Sequence, residues 1–242
     1  MYSFRLLLTA LPVTLFLSSS AFAQAVSVMD ENAPITRKQL PALIKEALIK
    51  DSSILTEAVD KMQAAQEEET INKAKDGIIK NKTELFSDPS SPSVGAADAD
   101  VTVVEFFDYH CGYCKKALAS IITLLEKDKK VRVVFKEYPI LSEESEYASR
   151  AALAVSRLAK DKYFDFHKAL FATTGSINEA FVLSEGKKLG IDPEKLKAEI
   201  VSPEVKAILD KNKKLGAEIG AQVTPAIVIG EGFYPGAMPY EA

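Results

Sequence analysis

Hydrophobic residues in the first part of the chain recur three and four positions apart, as on one face of a helix. This spacing holds from about Thr36 to Lys82 and is interrupted at Asp51-Ser52-Ser53, residues that favour a helix N-terminus. The pattern predicts two amphipathic helices with too few residues to form a core of their own. They must pack on the rest of the chain or on copies of themselves, and the residues leave both options open.

The later part of the chain contains three β-rich runs, which predict strands. They span residues 101–107, 131–138 and 224–230. Helical spacing fills the interval of about 143–220, where several segments carry Pro in the first turn. The Pro- and Ser-rich stretch at residues 87–93 indicates a linker or loop. The pattern therefore predicts an α/β domain from about residue 86, with a helical insertion before its third strand.

Residues 1–23 have the three parts of a secretory signal peptide. Arg5 supplies the positive charge, residues 6–17 form an apolar core, and Ala21-Phe22-Ala23 has the small residues of a cleavage site. The apolar core is too short to span a bilayer, so we expect cleavage rather than an uncleaved membrane anchor. The mature protein is then expected to be exported to a compartment where disulfides can persist. Association with the outer membrane or the cell surface is an alternative.

Composition narrows the possible functions. The 242 residues are 47% hydrophobic and 26% charged with a net charge of −4, which excludes wholesale disorder. This charge supplies no basic face for nucleic acid, so we expect no nucleic-acid partner. Two cysteines and two histidines are too few for a four-thiolate zinc site or a three-histidine catalytic site. We expect no metal and no cofactor.

The sequence Cys111-Gly112-Tyr113-Cys114 joins the first strand to a helix that runs to about Lys127. Both sulfurs can lie on the first helical turn, close enough to bridge. Cys111 would sit at the helix N-terminus, where free N–H groups and the helix dipole favour a thiolate. Cys114, one turn further on, is better shielded and suited to resolve a mixed disulfide. We expect a redox-active dithiol; the alternatives are a structural disulfide and a metal half-site completed by His110 or a second subunit.

The segments 106–115 and 223–226, separated by a helical insertion, resemble the DsbA-like branch of the thioredoxin superfamily. The likeness is to its secreted Com1-like and suppressor-of-copper-sensitivity (ScsC-like) members and covers about residues 41–242. It implies a thioredoxin fold with a helical insertion, preceded by an N-terminal helical segment. The domains expected are a signal peptide (1–23), a helical oligomerisation segment (24–85) and a DsbA-like thioredoxin domain (86–242).

The resemblance also implies roles for single residues. Pro225 matches a cis proline whose loop faces the cysteine pair, the alternative being an ordinary trans proline at the start of an edge strand. Thr224 would then touch the cysteine pair and the substrate, and Gly112 and Tyr113 complete the active-site loop. Glu105 matches an acid beneath the buried cysteine that can accept its proton.

Lys136, His110 and His167 are three further polar residues that we expect to have supporting or packing roles. From adjacent strands we infer that Glu105 pairs with Lys136, unless either side chain points to water. His110 flanks the cysteines and is expected to add mild electrostatics. His167, among phenylalanines, is expected to be a packed helix residue rather than a ligand.

The sequence departs from its relatives in two places. Strongly oxidising relatives have Pro-His between the cysteines, whereas Gly112-Tyr113 offers no imidazolium, so we expect a less oxidising pair. Residues 239–242 fall where relatives begin a final helix, so we expect that helix to be missing.

Together these features predict a periplasmic thiol–disulfide oxidoreductase that acts on cysteine-containing exported proteins, leaning towards isomerase. In relatives the N-terminal helices join two or three protomers, which favours a homo-oligomer. One alternative is a monomeric oxidase recharged by a membrane redox partner. Another, of a different class, is a surface or chaperone-like binding module with a static disulfide.

Overall fold

The computed structural model describes residues 34–241, so the predicted signal peptide lies outside the described residues. Helices α1 (Leu40–Lys50) and α2 (Ser53–Lys80) form where the sequence predicted them. The Asp51 carboxylate accepts a hydrogen bond from the Ser53 N–H at 3.0 Å, which satisfies one free donor at the start of α2. The chain divides into two compact units within the sequence of α2, one ending at Ala58 and the other beginning at Val59. Helix α1 buries none of its residues.

The second unit is built on a five-stranded mixed sheet in the order β1-β3-β2-β4-β5. The strands are β1 (Ser93–Gly95), β2 (Val101–Phe107), β3 (Val131–Glu137), β4 (Ala226–Ile229) and β5 (Gly232–Pro235). Strands β2 and β3 are parallel and every other pair is antiparallel. The three central strands confirm the sequence prediction, whereas the two short edge strands were not predicted.

Seven further helices complete the second unit. They are α3 (Lys82–Phe86), α4 (Gly112–Lys127), α5 (Glu143–Leu158), α6 (Tyr163–Ala172), α7 (Glu179–Lys188), α8 (Pro193–Ile200) and α9 (Pro203–Glu218). Helices α5 to α9 lie between β3 and β4 and form the predicted insertion. Four of them start where local chemistry favours it, since the side chains of Ser142, Asn178, Asp192 and Ser202 cap α5, α7, α8 and α9. The predicted fold class, a thioredoxin fold with a helical insertion, is confirmed.

Alternation along β2 places two hydrophobic layers on opposite faces of the sheet. On one face Val103 and Phe107 pack with α4 and with the helical insertion. On the other face Val104 and Phe106 pack with residues of α2, α3 and α9. Gly77 of α2 permits the close approach on this second face, because a Cβ there would lie 2.5 Å from the Glu218 carbonyl oxygen. The glycine therefore has a packing role, although the sequence suggested only a weakened helix.

The stretch at residues 87–93, expected as a linker or loop, is a loop as far as residue 92 that is held against the sheet, and Ser93 begins β1. Lys136 of β3 is fully buried, and its Nζ donates hydrogen bonds of 2.6 Å to the Glu84 carbonyl and to the Ser91 hydroxyl. The same Nζ lies 3.7 Å from the buried Asp88 carboxylate. A buried ammonium is tolerated only with such partners. The loop therefore belongs to the folded domain and is not a free linker.

The remaining domain boundaries stay predictions. Residues 236–241, after β5, form no helix in the part of the chain that the structure describes. Within residues 34–241, no helix combines the length and the apolarity needed to cross a bilayer.

The Lys136 contacts generate a stability prediction. Lys136→Met should lower the free energy of unfolding by about 3 kcal/mol, because Asp88, Ser91 and the Glu84 carbonyl lose a buried partner. Urea denaturation measures the change. Lys211→Met is the matched control: its Nζ lies 3.0 Å from the same Asp88 carboxylate but is half-exposed. The control should cost less than about 1 kcal/mol. Equal, small losses in both variants would show that Lys136 does not hold the loop.

Candidate active site

The cysteine pair lies at the junction of β2 and α4, as predicted. Cys111 is the N-cap residue of α4 and is half-buried, whereas Cys114, one turn into the helix, is buried. The Cys111 thiol donates a hydrogen bond of 3.1 Å to the Thr224 carbonyl oxygen. The Thr224–Pro225 peptide bond is cis. The fold thus brings together Cys111, Cys114, Thr224 and Pro225 from segments more than a hundred residues apart.

The two thiols have opposite acidities. Partial burial opposes the Cys111 thiolate. Hydrogen bonds that the Thr224 side chain, the Cys114 thiol and the backbone N–H groups of Cys114 and Tyr113 donate to the thiolate outweigh burial and lower the pKa of Cys111. Burial, together with the charges of Glu105 and Cys111, raises the pKa of Cys114 well above its usual range. Cys111 therefore has the acidity and exposure that suit an attacking nucleophile, whereas Cys114 would need a base to become a thiolate.

Glu105 is the candidate for that base. It lies in β2, beneath the cysteines, and is almost completely buried. Burial raises the pKa of Glu105 to about 8, and the negative charge of Cys111 contributes to the rise. A carboxyl group with this pKa can release and accept a proton near neutral pH, as a general acid–base group must.

The inferred Glu105–Lys136 pair is wrong. In the parallel register of β2 and β3, Glu105 is opposite Phe135 and Lys136 is opposite Phe106. Opposite residues share a face and neighbouring residues alternate, so Glu105 and Lys136 lie on different faces of the sheet. Glu105 belongs to the cysteine face, and Lys136 belongs to the face that carries the 87–93 loop. Lys136 is therefore not part of the site.

Asp108, which the sequence analysis did not single out, fixes the active-site loop. Its buried carboxylate accepts hydrogen bonds from the N–H groups of Ile140 (2.9 Å), Leu141 (3.0 Å) and His110 (2.8 Å). Its carbonyl oxygen accepts a bond of 3.0 Å from the Cys111 N–H. Asp108 thus holds the end of β3 against the loop that carries the cysteines. An acidic residue directly after a buried strand and before a turn is the signal that could have marked it.

His110 lies at the rim of the site, against the start of α5. Its Nδ1 is 3.0 Å from the Ser142 hydroxyl and 2.9 Å from the Ser145 hydroxyl. Its Nε2 is 3.6 Å from the Glu144 carboxylate. His110 therefore joins the active-site loop to the helical insertion, a positioning role that the sequence did not indicate.

His167 is buried among aromatic rings, in keeping with the expected packed role. It also belongs to a polar cluster that the sequence analysis missed, in which Tyr109, Tyr163 and Glu137 are buried with it. Glu137 lies two residues after Phe135 on the cysteine face of β3. The strand periodicity could have marked it as a second buried acid.

The surface around Cys111 exposes apolar side chains. Tyr113, between the cysteines, is 63% exposed, and Lys116 Nζ lies 5.2 Å from its ring centre. Ile140, Leu141 and Val223 are also exposed on the adjoining loops. Gly112 is exposed in the first turn of α4, and a Cβ there would meet no other atom. In residues 34–241, no group of three or more His, Cys, Asp or Glu side chains is placed to hold a metal ion.

Comparisons with known proteins agree with this geometry. A family model described as thioredoxin matches residues 87–242. The disulfide bond formation protein D of Bacillus subtilis is 30% identical over 169 residues, which are 62% of this chain and 76% of that protein.

Two solved structures illustrate the likeness. The thiol-disulfide exchange protein α-DsbA2 of Wolbachia pipientis is 31% identical with a TM-score of 0.66, over 71% of this chain and 92% of that one. ScsC of Proteus mirabilis in a compact conformation is 28% identical with a TM-score of 0.63, over 84% of this chain and 100% of that one. A buried thiol above a buried acid, a reactive thiol at a helix start and the family match lead to one conclusion: the chain belongs to the thioredoxin family, in its DsbA-like branch of thiol–disulfide oxidoreductases.

Proposed function

We propose that the protein is a periplasmic thiol–disulfide oxidoreductase that rearranges disulfides in exported proteins. The observation that carries the proposal is the unequal pair: Cys111 is accessible and acidified, and Cys114 is buried above Glu105. The signal-peptide pattern in residues 1–23 supports the location. The exposed apolar side chains around Cys111 suit unfolded segments of substrate proteins.

The proposed reaction begins with the reduced pair. The Cys111 thiolate attacks one sulfur of a substrate disulfide, a new S–S bond forms, and the other substrate sulfur leaves as a thiolate. If that or another substrate thiolate attacks the mixed disulfide, Cys111 is released as a thiolate and the substrate disulfide has moved without net oxidation. This first route is isomerisation.

Cys114 provides a second route. Glu105 takes the proton of Cys114, and the Cys114 thiolate attacks Cys111 Sγ. A Cys111–Cys114 disulfide forms, and the substrate leaves with both sulfurs reduced. Run backwards, the same steps oxidise a substrate dithiol at the expense of the Cys111–Cys114 disulfide.

The exposed face of α2 supports an oligomer and, through it, isomerase activity. Leu55, Val59 and Met62 are spaced three and four residues apart, and all three are exposed. Large apolar side chains repeated on one side of a helix favour association with a second copy. Joined protomers would present several Cys111 thiols to one misfolded chain. The second candidate is an oxidase recharged by a membrane partner, and the name of the Bacillus subtilis relative, a disulfide bond formation protein, favours the disulfide-forming part of it.

Turnover at the cysteine pair predicts a trapped intermediate. Cys114→Ala should accumulate mixed disulfides with periplasmic proteins, because the resolving thiol is gone. Non-reducing electrophoresis followed by mass spectrometry detects them. Cys111→Ser/Cys114→Ala is the control and should trap nothing. If Cys114→Ala also traps nothing, the pair is a static disulfide and the protein is a binding module.

The role of Glu105 predicts a pH dependence. Release of a cysteine peptide from its mixed disulfide with Cys111 should speed up as pH rises and level off at or slightly below pH 8, where Glu105 becomes ionised. The midpoint of this rise should lie below the pKa of Glu105 in the free reduced enzyme, because Cys111 carries no negative charge in the mixed disulfide. Glu105→Gln should slow release at pH 8 by about 100-fold and abolish this rise.

Stopped-flow fluorescence of a labelled peptide measures this release. Glu126→Gln, which changes an exposed acid near the far end of α4, is the control and should leave the rate unchanged. An unaltered pH profile in Glu105→Gln would exclude Glu105 as the base.

The isomerase proposal predicts that activity on scrambled ribonuclease depends on α2. Residues 24–242 should reactivate scrambled ribonuclease in a glutathione buffer. Leu55→Glu/Met62→Glu should become monomeric in sedimentation velocity and lose most of this activity, because charge disrupts the apolar face. Exchange with a small peptide disulfide should be retained.

Lys61→Glu, an exposed polar site on the same helix, is the matched control for association. Efficient dithiol oxidation by a monomer, without ribonuclease reactivation, would favour the oxidase instead.

A further inference from the structure

A buried polar cluster beside the cysteines takes no part in the steps above. The Glu137 carboxylate is fully buried at the end of β3, and its Oε1 accepts hydrogen bonds from Tyr109 (3.1 Å) and Tyr163 (3.0 Å). Its Oε2 has no hydrogen-bond partner within residues 34–241. No cation among those residues compensates its charge. A buried acid without a cation is costly to ionise. The proton of the Glu137 carboxyl group is therefore the one that the cluster can gain or lose.

Counting protons shows that the cluster holds either one negative charge or none. The Tyr109 hydroxyl is also 2.9 Å from His167 Nδ1. A phenol has one proton, so when Tyr109 donates to Glu137 it must accept from the Nδ1–H of His167. Burial lowers the pKa of His167 to about 3, so the imidazole is neutral. Burial raises the pKa of Glu137 to about 8 despite the nearby Ser149 hydroxyl and the hydrogen bonds from both tyrosines.

Tyr109 connects this cluster to the cysteines. It lies in the loop between β2 and α4, two residues before Cys111, and packs in the same buried core as Cys114. Its ring contacts Phe107 and Phe171, with centroid distances of 5.2 and 4.8 Å. Tyr109 therefore gives the cysteine loop a direct side-chain hydrogen bond to Glu137. Asp108 in that loop and Glu105 in β2 add negative charge to the surroundings of Glu137 and Tyr109.

Reduction changes the charge in this region. Above the pKa of Cys111, the Cys111–Cys114 disulfide takes up two electrons and one proton, giving a Cys111 thiolate and a Cys114 thiol. A negative charge there disfavours a second one at Glu137, so the reduced protein should bind the Glu137 proton more tightly. For two charges in a partly buried region, the effect on proton affinity is about fivefold.

We propose that Glu137, with Tyr109, Tyr163 and His167, is a second proton-holding site of the redox centre, coupled through Tyr109 to the oxidation state of the cysteine pair. The proposal rests on the proposed function, since it requires that the pair cycles between disulfide and dithiol. Glu137 is a positioning residue here, because its hydrogen bonds are to the tyrosines and not to the reacting sulfurs.

The direct test is an NMR titration of the Glu137 carboxyl carbon in the full mature chain. Glu105→Gln is the background, because it removes the acid nearest to the cysteines. The signal that disappears on adding Glu137→Gln identifies the residue. Its proton affinity should be about fivefold higher in the dithiol form than in the disulfide form. Equal affinities in the two forms would overturn the proposal.

Linkage supplies a second measurement. If reduction raises the proton affinity of Glu137 by some factor, then loss of the Glu137 proton must lower the ratio of reduced to oxidised protein, in a fixed glutathione buffer, by the same factor. As pH rises through the ionisation of Glu137, the ratio of reduced to oxidised protein should fall about fivefold further in Glu105→Gln than in Glu105→Gln/Glu137→Gln. Parallel profiles would contradict the coupling. A wild-type pair that glutathione does not reduce reversibly would contradict the proposed function itself.

Two tyrosine variants test the route. Tyr109→Phe and Tyr163→Phe each remove one phenol that donates to the same Glu137 oxygen. Both should raise the pKa of Glu137. Only Tyr109→Phe should reduce the difference in Glu137 proton affinity between the dithiol and disulfide forms, because only Tyr109 lies in the cysteine loop. Equal differences in the two variants would exclude Tyr109 as the connection.

Discussion

The register of β2 against β3 decides which charged side chains lie beneath the cysteines. Glu105 is opposite Phe135, and Phe107 is opposite Glu137, so two acids and two phenylalanines share the face covered by α4 and the helical insertion. A shift of one residue would bring Lys136 to this face and move an acid away from it. The presence of two buried acids beneath the cysteines follows from this one alignment, and the β3 residues on this face include no cation.

Separation of the two cysteines is the second consequence of the fold. The turn at the start of α4 gives the Cys111 sulfur access to free backbone N–H groups, whereas Cys114 is carried into the core. Identical thiols thereby acquire opposite acidities, which exchange chemistry requires: one stable thiolate to attack, and one protected thiol to resolve. Asp108 maintains this arrangement by joining the cysteine loop to the residues after β3, and His110 joins the loop to α5.

Charged residues on the other face have a structural role. Lys136 holds the loop that follows α3, so the path from the N-terminal helices into the sheet passes through a packed segment. The exposed apolar residues of α2 take no part in this packing. The residues that hold the loop on this face are thus separate from those that surround the cysteines on the other.

Much of the secondary structure of this protein, and its cysteine pair, could be predicted from the sequence alone. Two short strands at the edges were missed because three or four residues carry too little periodicity, but the central strands, the helical insertion and the cysteine pair were found from local patterns. Hydrophobic spacing, capping residues and the Cys-x-x-Cys motif act within a few positions, so they can be detected without a structure.

Only the tertiary structure decided the partners of the buried charges. Lys136 bonds to the loop and not to Glu105, while Glu137 joins Tyr109, Tyr163 and His167. These contacts depend on strand register and on the packing of helices distant in sequence. A burial pattern can show that a charge is inside, but the atom that compensates it is fixed only when the strands and helices are assembled.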